Sequence, residues 1–281
     1  NYKNRIRYYL HEETDNLNDI KHPSVRETAK FLNMNQGIEI VHNADLPAQS
    51  GLGSSSTFTV GLLNALYGLK NYMPTKRELA LNAIHIEQNL IRESVGSQDQ
   101  TAAAFGGLNK IVFSKDNTID VDPILISEKR LLELQNNLML FFTGFARNAT
   151  DIAKEQIKVT LEKKKELKDI FNICSEGFSV LNNKKEPIEK IGALLNEQWM
   201  IKRTLTNKIT NKNINDIYEA GIKAGAIGGK LLGAGAGGFI LFYVPKHNQD
   251  AVKNALKRKL FVPFRFETTG SKIIYHSHQE K

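Results

Sequence analysis

Cysteine is almost absent from this chain: Cys174 is the single one among 281 residues. An internal disulfide is therefore excluded, and the flanking Asn172, Ile173 and Ser175 supply neither a metal ligand set nor a base to activate a thiol. Long apolar runs are missing as well. No stretch approaches the roughly 20 residues that a membrane-spanning helix needs, and no signal-peptide pattern opens the chain. Internal repeats and low-complexity tracts are absent. These features lead us to expect a reducing, cytoplasmic setting and no membrane partner. What is present is ordinary for a soluble globular protein: 41% hydrophobic and 24% charged residues, in a chain long enough for two lobes.

Clustered charge of one sign is also lacking. The formal net charge is +8, which raises nucleic acid as a partner. The lysines, however, lie in mixed runs such as Lys163, Lys164 and Lys165 between Glu162 and Glu166, the pattern of a solvated helix face. No aromatic and basic platform accompanies them, so no nucleic-acid partner is expected. A basic surface equally suits steering of a small anionic substrate.

The chain is organised around Asp45–Leu69, where Pro47 leads into Gly51, Leu52 and Gly53, then Ser54, Ser55 and Ser56, and then a helical apolar pattern through Leu62, Leu63 and Leu66. A glycine-rich turn feeding a helix start leaves backbone N–H groups without intrahelical partners, and the helix dipole makes them an anion site. A Ser-capped helix after a flexible turn would account for one Gly-x-Gly. It does not account for a proline-stiffened entry, two glycines and three hydroxyls together. No lysine lies in this stretch, so it is not a Walker A loop.

Two carboxylates follow. A helix is expected from Thr75 to about Ser94, and Glu87 falls on its apolar stripe among Ala83, Ile84, Leu90 and Ile91. A carboxylate so placed needs a partner, or a route to water or to Arg92. Twelve residues later comes Asp99, near the start of a short helix within Val95–Gly107, where an acid also serves as a cap.

Elsewhere we expect a helix from Pro23 and Ser24, a strand over Gly37–Ala44, strands Leu108–Phe113 and Leu138–Thr143, and helices over most of Thr150–Ile227. Breaks fall near Asn182–Pro187 and Thr210–Asn213. The last third reads as strand Phe239–Val244, helix Gln249–Leu260 and strands Val262–Glu267 and Lys272–His276. This is an α+β layout in two lobes, 1–130 and 131–281. A second glycine loop runs from Gly228 to Gly238 and contains Gly-x-Gly-x-x-Gly at Gly233, Gly235 and Gly238. A dinucleotide fingerprint must follow a strand and open a helix; this one is expected to follow a helix and open a strand. It reads instead as a loop lining a site.

Pro47-x-x-x-Gly51-Leu52-Gly53-Ser54-Ser55-Ser56 resembles the phosphate loop of the GHMP kinases; Val95–Gly107 resembles that family's catalytic-aspartate turn, and the Gly233–Gly238 loop its third motif. The resemblance covers the chain from about Pro23 to its end. It implies a ribosomal protein S5 domain 2-like N-terminal lobe and a ferredoxin-like C-terminal lobe. VGSQDQTAAAFGG, FTGFARNATDIAKEQ and the region of Gln198, Trp199, Lys202 and Arg203 most resemble bacterial sugar kinases acting on D-glycero-D-manno-heptose 7-phosphate. Fucose- and galactose-type kinases, a non-catalytic sugar or nucleotide sensor and a diphosphomevalonate decarboxylase-type enzyme are the alternatives. Carried over, Pro47 and Gly51–Ser56 hold ATP, Ser55 (with Ser54 as competitor) and Glu87 hold Mg²⁺, and Asp99 is the base. Gly233, Ala234, Gly235 and Arg147 contact the sugar phosphate, in a monomer or homodimer. The family's first motif and first N-terminal strands are not in the chain, which starts at Asn1. The expectation is a piece of a longer polypeptide or a shortened relative, folding poorly or acting weakly alone.

Overall fold

The computed structural model describes residues 3–46, 50–145 and 149–277, apart from the side chains of residues 149–151. By backbone proximity the chain forms two compact units. One comprises Asn1–Ala48, Gly53–Gly107 and Glu267–Lys281; the other comprises Gln49–Leu52 and Leu108–Phe266. No single cut in the sequence separates them, because the tail rejoins the first.

In the first unit, strand β1 (Asn4–Arg7) pairs antiparallel with β2 (His11–Thr14) and parallel with β3 (Glu39–Val41). Helix α1 (Pro23–Phe31) starts on a proline whose missing N–H costs nothing at that position. Helix α2 (Ser54–Leu69) supplies Val60, Leu63 and Leu66 to a core shared with Val25, Ala29, Leu79, Ala83 and Ile86. Each large side chain buried there contributes about 1.5–3 kcal/mol. Helix α3 (Lys76–His85) is capped by Thr75, whose hydroxyl accepts from the Glu78 amide.

The long helix expected to Ser94 does not persist. After His85 the backbone widens into a π-turn, Ile86–Leu90, and Arg92 then takes the left-handed conformation at φ 64°. Such turns reset the phase of a helix and recur at functional sites. Helix α4 (Gln98–Phe105) follows. The strand expected at Lys272–His276 is not formed. Residues 267–271 instead run along the end of α4, with Gly107 N–H on Glu267 O and Ser271 N–H on Ala103 O. Ile274 and Tyr275 are exposed; the alternation in this stretch reads as a strand but finds no sheet edge to pair with.

In the second unit, β4 (Asn109–Phe113) and β5 (Ile119–Pro123) form an antiparallel ribbon. The main sheet is antiparallel in the order β7-β8-β6-β9, with β6 at Leu138–Phe142, β7 at Gly228–Leu231, β8 at Phe239–Tyr243 and β9 at Leu260–Val262. Helices α5 (Glu128–Asn136), α6 (Ala149–Val159), α7 (Lys164–Asn182), α8 (Lys190–Lys202), α9 (Lys212–Lys223) and α10 (Gln249–Ala255) complete it. Trp199, Phe141, Ile240 and Phe242 are fully buried in its core. Gly228–Leu231 is thus a strand, where the sequence suggested loop; the glycine loop begins after it and still opens a strand, not a helix. Among the described residues no helix is long and apolar enough to cross a membrane.

Candidate active site

Helix α2 begins on Gly53, whose left-handed backbone (φ 69°) turns the chain and whose missing side chain offers no cap. The Thr57 amide bonds back to Gly53 O at 2.8 Å. The amides of Ser54, Ser55 and Ser56 therefore open the helix with no intrahelical acceptor and with the positive end of the dipole behind them.

Both acids come to this helix start. Glu87 is 1% exposed. Its Oε1 accepts from Thr59 Oγ1 at 2.8 Å, and its Oε2 accepts from Ser56 Oγ at 2.8 Å and from the Gln100 side-chain amide. These donors are neutral; among the described residues Glu87 has no ion-pair partner, and Arg92 is exposed. Glu87 is the second residue of the π-turn and is buried there.

Asp99 lies in the first turn of α4, and Gln100 beside it is wholly buried. A Cβ added at Gly53 would stand 2.8 Å from Asp99 Cγ and 2.9 Å from its Oδ2, so the carboxylate rests directly on the helix start. The Asp99 side chain keeps an open surface, yet enough protein surrounds it that desolvation raises its carboxyl above the usual range. Nearby Glu93 is pushed up as well, by burial first and then by the charge of Glu87. A carboxyl raised in this way, at the mouth of an amide nest, suits proton acceptance from a bound hydroxyl.

Within the second unit, the glycine loop after β7 packs on residues 50–52. A Cβ on Gly233 would lie 2.7 Å from Gly51 Cα, and one on Gly238 would lie 2.1 Å from Ser50 O. Side chains are excluded at Gly233, Gly235 and Gly238 by backbone meeting backbone. Ala236 N–H donates to Ile209 O at 2.7 Å, and Gln156 holds Ala234 O at 2.6 Å.

The structure therefore joins Gly53, Ser56, Glu87 and Asp99, and separately Gly51, Leu52 and Gly233–Gly238. It places Ser56, not Ser55, on Glu87; Ser55 is exposed in the first turn and Ser54 is half-buried. Pro47 and Arg147 lie outside the described residues. Thr59 and Gln100 were missed by sequence reasoning, although Ser56 and Thr59 are three apart on one helix face and Gln100 adjoins Asp99.

Mg²⁺ takes oxygen ligands, few of them from protein and the rest from phosphate and water. Glu87 offers an acid oxygen with one lone pair beyond its Thr59 bond, and the Ser56 hydroxyl donates to it while keeping its own lone pairs. The described residues contain no cluster of three or more His, Cys, Asp or Glu that would hold a metal without such help. The donor set fits a cation shared with a phosphate.

Comparison with known proteins identifies the family. Residues 22–107 match the family model for the GHMP kinases N terminal domain, and residues 180–262 match that for the GHMP kinases C terminal domain. D-glycero-alpha-D-manno-heptose 7-phosphate kinase of Campylobacter jejuni is 33% identical over 236 residues, covering 82% of this chain and 68% of that protein. The crystal structure of a D-glycero-D-manno-heptose 1-phosphate kinase from Bacteriodes thetaiotaomicron superposes with a TM-score of 0.67 at 25% identity, covering 97% of this chain and 84% of that one. A mevalonate kinase structure gives a TM-score of 0.73 at 19% identity over 95% of this chain and 86% of its own, a likeness of fold. Two domain models matched in order, with a relative one-third identical along most of the sequence, settle the family: this chain belongs to the GHMP kinases.

Proposed function

We propose that this GHMP kinase transfers the γ-phosphoryl group of ATP to the anomeric hydroxyl of D-glycero-D-manno-heptose 7-phosphate, in the supply of nucleotide-activated heptose for surface polysaccharide. The observation that carries the reading is the convergence of Glu87 and Asp99 on the first turn of α2. Phosphoryl transfer asks for positioning and charge neutralisation more than for covalent chemistry. The amides of Ser54–Ser56 receive the nucleotide phosphates, and Gly51 and Gly53 let the chain approach them closely. Asp99 accepts the proton of the attacking hydroxyl. Glu87, with Ser56 on it and Ser54 and Ser55 in the same turn, would be the place for Mg²⁺, which when bound would neutralise phosphate charge. Gly233, Ala234 and Gly235 line the acceptor side, and Arg147 is proposed to grip the sugar's phosphate as a bidentate guanidinium.

The choice of acceptor follows the relatives: both kinases named above carry a heptose phosphate in their names, the 7-phosphate in the Campylobacter jejuni protein and the 1-phosphate in the other. ADP release measured with heptose 7-phosphate, galactose, fucose and mevalonate checks it. Heptose 7-phosphate is expected to turn over at a rate on the order of 1–100 per second, with kcat/KM at least about 100-fold above the others, since a site built for a polar group rejects ligands lacking it. Preference for an unphosphorylated sugar overturns the acceptor. Sugar and nucleotide binding without any turnover points to the sensor instead.

A further inference from the structure

Apart from the residues above, the second unit holds Lys202 and Lys230, half-buried lysines that pair with no carboxylate among the described residues. Lys202 closes α8, and its Nζ donates to Gly233 O at 2.5 Å. Lys230 stands in β7 beside the same loop. Two residues before it, a Cβ on Gly228 would come within 2.0 Å of Gly192 O and 2.8 Å of Asn196 Cβ, so that face of β7 is the one α8 covers. Residues two apart on a strand share a face, and Lys230 therefore projects to the α8 side, toward the helix end that carries Lys202.

The electrostatics agree with that placement. Desolvation and then the charge of Lys230 pull the Lys202 ammonium down to about 7; desolvation lowers Lys230 too, against a smaller raising effect of the Cys174 thiol. Among the described residues neither lysine has an ion-pair partner, and Lys230 has no hydrogen-bond acceptor. A helix C-terminus favours one cation, which accounts for Lys202 alone. It does not account for a second ammonium brought onto the covered face of a strand beside the first. Unpaired cations sharing a partly buried place, with N–H donors to spare, form an oxyanion site.

We propose that Lys202 and Lys230 together bind a phosphate oxyanion beside the Gly233–Gly238 loop, and that this oxyanion is the acceptor sugar's own phosphate ester. The assignment to the acceptor rests on the function proposed above, because there the nucleotide's phosphates already have the amides of Ser54–Ser56. It makes the lysine pair a determinant of specificity for phosphorylated sugars.

Lys202→Met and Lys230→Met are the variants, with Lys230→Arg as the charge-retaining control. Removing a desolvated charge leaves folding intact or firmer, so thermal melting points at or above wild type are expected. KM for heptose 7-phosphate should rise at least about tenfold in each Met variant, as loss of a charged hydrogen bond implies, with KM for ATP within about twofold and the Arg control close to wild type. With the nucleotide site filled by a non-hydrolysable ATP analogue, inorganic phosphate should compete with the sugar phosphate for the wild type, and calorimetry should show its binding lost in both Met variants. A rise in KM for ATP instead assigns the oxyanion to the nucleotide and overturns the acceptor assignment. Unchanged phosphate binding in the Met variants overturns the site itself. Should the wild type turn over no sugar phosphate at all, the proposed function falls, and phosphate calorimetry alone still decides whether the lysines form an anion site.

Discussion

Asp99→Asn is expected to lower kcat with the sugar phosphate by about 10²–10⁴-fold, the range that general-base catalysis contributes, while ATP affinity stays within about twofold. The exchange is isosteric, so the contact with Gly53 that seats the side chain is retained; only the ability to take a proton is lost. Desolvation raises the Asp99 carboxyl above its ordinary value. A base must be deprotonated to act, so activity is present above that raised pKa and falls as pH drops through it. The acid limb of kcat/KM against pH should accordingly lie higher than for an ordinary aspartate, and the residual activity of Asp99→Asn should lose that limb. An Asn variant that keeps wild-type turnover would remove Asp99 from the chemistry.

Glu87→Gln should affect two quantities at once. The carboxylate accepts from three donors, on Ser56, Thr59 and Gln100. A glutamine keeps one acceptor oxygen and turns an N–H₂ toward groups of which the Gln100 amide can only donate. At least one buried donor then goes unpaired, at a cost of about 1–3 kcal/mol, readable as a lower urea midpoint. The second effect concerns the cation: the Mg²⁺ concentration for half-maximal ADP release should rise on the order of 10–100-fold, the loss typical when the groups around a metal are altered. A fall in stability with an unchanged Mg²⁺ requirement would make Glu87 a structural pin between α2 and α4 and nothing more.

These two acids also show how far the sequence can be read. Glu87 is conspicuous because a carboxylate interrupts an apolar helical stripe, and Asp99 because it sits at a helix start between glycines. Which serine meets Glu87 depends on helix phase: Gly53, not a serine, is the cap, so Ser56 and Thr59 turn inward and Ser55 turns out. The π-turn at Ile86–Leu90 leaves no trace in hydrophobic periodicity, since it inserts a residue without changing composition.

The missed strands have physical reasons too. In β1 and β2 only Asn4, Ile6 and Glu12 are buried, and Glu12 is held by the Tyr8 hydroxyl and the amides of Lys21 and His22, partners that no local pattern announces. Strand β7 reads as loop because two of its four residues are glycine, chosen for the close approach of α8 and β8. The glycine loop that follows was legible as a place of close contact; that its contact is Gly51 and Ser50 required the fold.

The central claim is that a nucleotide's phosphates rest on the opening turn of α2, and a crystal structure with a non-hydrolysable ATP analogue and Mg²⁺ tests it most directly. The account predicts β- or γ-phosphate oxygens about 3 Å from the amide nitrogens of Ser54–Ser56, with Asp99 free to face the terminal phosphorus from the acceptor side. A triphosphate bound elsewhere, with those amides solvated, would contradict it.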